Sequence, residues 1–128
     1  MNLKTRVTGK IADIPREDWE SVFPDIPEGY DFYKTLDESR FEQFLFYYIV
    51  VYDDKSVVGA APCFSMRYSL DTSINGTARC VLNYVKRLVP NIFSVKVLIC
   101  GMPIGQGQIG MVKGKEDIKI VEAVFRKM

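Results

Sequence analysis

No histidine occurs among the 128 residues. That absence removes the Ser-His-Asp and Cys-His triads, the H-E-x-x-H metal site and imidazole as a general base. Proton transfer must fall to a carboxylate, a tyrosine, a lysine, a thiol or water. An excess of one charge is also missing: 17 basic and 16 acidic side chains leave a formal net charge of +1, too weak a field to gather nucleic acid or an anionic membrane. Neither is expected as a partner. The three cysteines, Cys63, Cys80 and Cys100, are odd in number, lie in apolar runs and show no C-x-x-C spacing. They read as buried free thiols of a reducing cytosol, and no metal is expected. No apolar run approaches the roughly 20 residues of a bilayer-spanning helix. The opening MNLKTRVTGKIADIPRED lacks the apolar stretch of a signal peptide, so a cytoplasmic location is expected.

Apolar residues make up 48% and charged residues 26%, the balance of one ordinary folded domain over residues 1–128. Lys4 to Ile11 alternate loosely as a first strand. Asp13, Pro15 and Glu17 mark a helix start, with proline pre-set for the first turn and acids at the positive end of the dipole. That helix carries Trp19, Val22 and Phe23 and stops at Pro24. A second helix is expected over Tyr30 to Ser39. Residues 44–68, FLFYYIVVYDDKSVVGAAPCFSMRY, contain two β-branched and aromatic runs around the polar turn 53–56, which predicts a long hairpin covered on both faces. Asn75-Gly76-Thr77 reads as a turn and helix cap. Thr77 to Leu88 is amphipathic, with Ala78, Val81, Leu82, Val85 and Leu88 on one stripe. Ile92 to Cys100 reads as a mostly buried strand, and Glu116 to Met128 as a helix with Ile118, Val121, Val124, Phe125 and Met128 at helical spacing. The expected class is α/β, a mixed and largely antiparallel sheet flanked by helices.

Between the last strand and the last helix stands CGMPIGQGQIGM, residues 100–111. Its G-Q-G-Q-I-G matches the dinucleotide fingerprint literally, but that fingerprint belongs in a first strand-to-helix turn with an acidic residue about 20 positions on. Here it follows the last predicted strand, so NAD is not expected. A P-loop is excluded by spacing. Two readings stay open: an exposed turn that needs positive φ, or an anion cradle of backbone N–H groups from Gly101, Gly105, Gln106, Gly107 and Gly110 beside Lys113 and Lys115.

The long apolar hairpin, its phrase Val57-Val58-Gly59-Ala60-Ala61-Pro62 and the turn Leu98-Ile99-Cys100-Gly101-Met102-Pro103 together resemble the N-terminal part of a GNAT-type acyltransferase, the superfamily that includes the Fem-type peptidoglycan aminoacyltransferases. The resemblance spans roughly residues 15 to 125 and is nearest to bacterial members with a strand-C-G-x-P turn. It implies acyl-coenzyme A or a charged acyl carrier as donor and an amine as acceptor. It also implies that residues 1–128 are the N-terminal part of a longer enzyme. The family's pyrophosphate loop reads Q/R-x-x-G-x-G/A; in this chain Gln106 is followed three residues on by Ile109.

GNAT-type transfer positions the amine and lets a carboxylate, a tyrosine or water take its proton, so the absence of histidine is no obstacle. Catalytic candidates at the hairpin's end are Ser65, Arg67 and Tyr68, which ordinary sheet surface would equally explain. Cys63 and Cys100 as acyl-accepting thiols are disfavoured because burial raises a thiol's pKa. Phe41, Phe44, Phe46, Tyr47 and Tyr48 are expected in the core rather than as a stacking platform. Lys113, Lys115 and Lys119 read as a solvated face. The alternative to an enzyme is a non-catalytic interaction or scaffold domain, whose apolar C-terminal helix docks on a further domain or on a second copy.

Overall fold

Runs of β-branched and aromatic residues too long for a loop set the frame, because such side chains favour the extended backbone. The computed structural model describes residues 2–70, 75–103 and 108–128. In chain order the elements are β1 (Leu3–Thr8), one turn of 3-10 helix (Ile11–Asp13), α1 (Arg16–Val22), α2 (Tyr30–Ser39), β2 (Phe44–Asp53) and β3 (Ser56–Ser69). There follow α3 (Thr77–Leu88), β4 (Ser94–Cys100), β5 (Gly110–Met111) and α4 (Ile118–Phe125). The sheet runs β1-β2-β3-β4, with β5 also on β3. The expected α/β class, a largely antiparallel sheet flanked by helices, is the one the chain adopts.

The chain divides into two units, Met1–Ser65 with Leu98–Met128, and Met66–Val97. In the first unit β1 pairs antiparallel with β2, from Leu3 opposite Asp53 to Thr8 opposite Tyr48. The hairpin turns at Asp54, which takes the left-handed φ of 55° that Asp tolerates better than most residues. Helices cover both faces of the hairpin. On one face Trp19, Val22, Tyr30, Tyr33 and Leu36 of α1 and α2 pack on Tyr48, Val50, Val57 and Ala60. On the other, Ile120 and Val124 of α4 pack on Ile49, Val51, Val58, Ala61 and Cys63. Each fully buried side chain of this size contributes about 1.5–3 kcal/mol.

Alternation along β3 slips once. Val57 and Ala60 join the first cluster, Val58 and Ala61 the second, and a Cβ at Gly59 would run into Ile120.

α1 begins one residue after Pro15 and ends before Pro24, and α2 and α3 match their expected limits. The last helix is shorter than expected, and its buried stripe is Ile120 and Val124, leaving Ile118 and Phe125 exposed.

Helix α3 and strand β4 depart further from what their sequences predict. α3 buries Leu82 alone, while Val81, Tyr84 and Leu88 are 62%, 66% and 69% exposed. β4 is not the buried strand expected: it starts at Ser94, and Val95, Leu98 and Ile99 are all exposed. An apolar sequence gives a strand its extended backbone but not a cover, which needs a neighbouring element.

Candidate functional site

β4 and β5 follow one another along a single edge of β3. The Gly101 N–H donates to Pro62 O at 2.7 Å, so Gly101 stands opposite Pro62. Gly110 stands opposite Ala60 and Met111 opposite Gly59, and the Val112 N–H donates to Val58 O at 3.1 Å. The pairing therefore passes from β4 to β5 within two residues of β3. Pro62 fits that handover. In an antiparallel strand the nitrogen and oxygen of a residue face the same edge, and a proline nitrogen is tolerated where the ladder is broken.

This geometry assigns two of the candidate glycines to the sheet. Gly101 has φ 132°, a backbone that L side chains rarely adopt, and its N–H is committed to Pro62. Gly110 is buried in β5, where a Cβ would lie 2.6 Å from Val22 O and from the Phe23 ring. The Gly101 amide is thus taken by Pro62, and Gly110 is paired in register with Ala60. Gly105, Gln106 and Gly107 lie outside the described residues. Farther on, the Gly114 N–H donates to Glu116 Oε2 at 2.9 Å, so a carboxylate of the chain itself occupies that small nest. Hydrogen bonds from its own backbone and from Gly114 hold the Glu116 carboxyl below the usual range. Lys113, Lys115 and Lys119 are exposed, as expected of a solvated face.

At the turn's base Cys100 half-emerges beside Cys63. Because Gly101 pairs with Pro62 antiparallel, Cys100 stands directly opposite Cys63, and the same offset reappears where the Leu70 N–H donates to Phe93 O at 2.7 Å. Cys63 is 1% exposed, and its thiol donates to Ala61 O at 4.0 Å, with the Cys100 thiol beside it. Interaction with the Cys63 thiol lowers Cys100 to about 7 against the opposing effect of burial. It raises Cys63, with burial adding to the rise. The expectation that burial blunts both thiols holds for Cys63 and fails for Cys100, and Cys80 is exposed rather than buried.

The catalytic candidates occupy different surroundings. Ser65 closes the first unit and is buried, its Oγ without a hydrogen-bond partner among the described residues. Arg67 and Tyr68 belong to the second unit and are exposed, with Arg67 Nη1 3.5 Å from Ser94 Oγ. Of the five aromatics expected in the core only Tyr48 is fully enclosed. Phe41, Phe44 and Tyr47 instead line an open cleft of about 700 Å³ with Lys10, Lys34 and Arg40. The sequence shows no basic residue among those aromatics because the three cations arrive from the β1 end and from α2.

Among the described residues no group of three or more Cys, Asp or Glu side chains is arranged to hold a metal ion, and no helix is long and apolar enough to cross a membrane. No protein-family model, no curated protein and no solved structure matches the chain.

Proposed function

We propose that this chain is the N-terminal part of a GNAT-like N-acyltransferase, which carries an acyl group from acyl-coenzyme A or an aminoacyl donor to an amine. The observation that supports this most is the break in the ladder at Pro62. There a sheet with both faces covered sends β4 out of the edge at Cys100-Gly101, and the chain returns as β5 only at Gly110. A sheet that opens at one edge leaves backbone N–H groups unpaired by a neighbouring strand, and such groups suit a pyrophosphate. With Gly101 and Gly110 spent on the sheet, the donors in this reading lie between them. In this reading the amine's proton passes to a carboxylate, a tyrosine or water.

Acetyl-coenzyme A titrated into the protein tests the reading. A ligand that binds only the folded state raises the melting temperature by mass action. A rise with acetyl-coenzyme A that adenosine alone does not produce supports it, and no rise at millimolar ligand counts against it.

A second reading has its own support. The exposed Val81, Tyr84 and Leu88 of α3 and the exposed Ile118 and Phe125 of α4 suit a non-catalytic scaffold domain that docks apolar surface on another domain or on a second copy. Sedimentation distinguishes it: concentration-dependent self-association favours docking between copies, and a strictly monomeric chain argues against it.

A further inference from the structure

We propose that Cys63 and Cys100 form a cross-strand dithiol, a modification site at which Cys100 takes up a low-molecular-weight disulfide and Cys63 resolves the adduct into an internal disulfide joining β3 to β4. The inference is independent of the acyltransferase reading. It stands first on register. Gly101 and Pro62 form a hydrogen-bonded pair, so the next pair along the ladder, Cys100 and Cys63, is of the non-hydrogen-bonded kind. Such pairs hold their Cα atoms about 4.5 Å apart with the side chains close together, within the span of roughly 4.4–6.8 Å that a disulfide bridges.

The surroundings divide the two roles. Cys63 is enclosed by Ile49, Val51, Val58, Ala61, Ile120 and Val124, out of reach of an external reagent. Cys100 is only partly covered, and the neighbouring Cys63 thiol favours its thiolate. The partly exposed, thiolate-forming sulfur is the attacking one and the enclosed sulfur the resolving one. Cys80 is exposed and lies on α3, outside the β3–β4 register that pairs the other two.

The chemistry balances with an organic disulfide, RSSR, as oxidant. The Cys100 thiolate attacks one sulfur of RSSR, a Cys100–S–S–R bond forms, and RS⁻ leaves to be protonated by the proton Cys100 gave up. The Cys63 sulfur then bonds to the Cys100 sulfur, the bond to R breaks, and the Cys63 proton leaves with the second RS⁻. Two thiols of the protein are oxidised and one RSSR is reduced to two RSH. The product is a covalent link between β3 and the C-terminal end of β4.

The test uses the whole chain in glutathione buffers of rising oxidised fraction, followed by iodoacetamide trapping, proteolysis and mass spectrometry, with far-ultraviolet circular dichroism to confirm the fold. The expected result is a Cys63–Cys100 linked peptide with Cys80 alkylated or glutathionylated separately, and the same link in C80S. Two variants separate the roles of Cys63. In C63A the neighbouring thiol is gone, so Cys100 moves back toward the ordinary thiol value of about 8.5, and its thiolate fraction and alkylation at pH 7 fall about tenfold. In C63S a hydroxyl stands in its place, so Cys100 keeps most of its reactivity but holds glutathione as an unresolved adduct. Links made only through Cys80, or a folded chain with no Cys63–Cys100 link in fully oxidised buffer, would overturn the proposal. An unchanged Cys100 alkylation rate in C63A would overturn it too.

Discussion

Asp37 binds two elements at once. Its Oδ1 accepts from the Tyr48 hydroxyl at 2.7 Å, and its Oδ2 accepts from the Ile11 N–H at 2.7 Å. Through this one carboxylate α2 is fixed both to β2 and to the 3-10 turn that follows β1. Tyr48 is fully buried, and burial, with the neighbouring carboxylate adding to it, pushes its phenol well above the ordinary range. It therefore remains a donor at any physiological pH.

Removing either partner strands the other. Asp37→Ala leaves a buried phenol and a backbone N–H without their acceptor, and the expected loss is about 1–3 kcal/mol. Tyr48→Phe keeps the ring packing against Trp19 and Tyr33 and removes only the bond to Oδ1, so it should cost less than Asp37→Ala. Urea melts of the two single variants and the double variant check this. The double variant is expected to fall short of the sum because the two residues share a bond.

Gly110 is required by packing. In Gly110→Ala the new methyl would meet the Val22 carbonyl, which is backbone and cannot rotate away, and overpacking of that kind costs about 1–3 kcal/mol. Gly59→Ala meets the Ile120 side chain and is expected to disturb α4. Gly9→Ala, whose Cβ would reach only ordinary contact with Phe46 O at 4.0 Å, is the control and should change stability by less than about 0.5 kcal/mol. Thermal or urea denaturation of the three variants gives the ranking.

A pH series should reveal the ion pair between α1 and α2. Arg16 Nη2 lies 2.6 Å from Asp31 Oδ1, and the guanidinium's hydrogen bond holds the Asp31 carboxyl below its ordinary value of 3.8. A carboxylate whose folded pKa is depressed adds stability that is fully present above the unfolded value and disappears as pH falls through the folded one. The melting temperature of the wild type should therefore exceed that of Asp31→Asn at pH 7, with the gap closing below about pH 4. Because the pair is exposed, added salt should also narrow the gap.

On α3 the burial pattern sets two neighbours apart. Leu82→Ala removes a buried side chain and should destabilise by about 2–5 kcal/mol. Val81→Lys replaces an exposed one and should change stability by less than about 0.5 kcal/mol. Equal losses in denaturant melts would mean that Val81 is covered in solution.

The hairpin and three helices were legible because their signals are local. β-branched runs around Asp53-Asp54-Lys55-Ser56, prolines at positions 15 and 24, and a 3.6-residue stripe each act within one element. What escaped detection depends on pairs far apart in the chain. β5 has two residues, too few for any periodicity. The opposition of Cys63 and Cys100 follows from a register that no short turn between β3 and β4 announces. Asp37 reads as one more acid on a helix until Tyr48 and Ile11 are brought to it. The exposure of α3 and β4 was misjudged because hydropathy reports what a segment would bury and not what lies against it.

The proposed function is tested most directly by mapping amide shifts of the isotopically labelled chain as acetyl-coenzyme A is added. The account predicts saturable shifts centred on the segment from Leu98 to Val112, with Lys113 and Lys115 following and the core amides of β2 unmoved. Shifts scattered over the surface, or none at millimolar ligand, would contradict it.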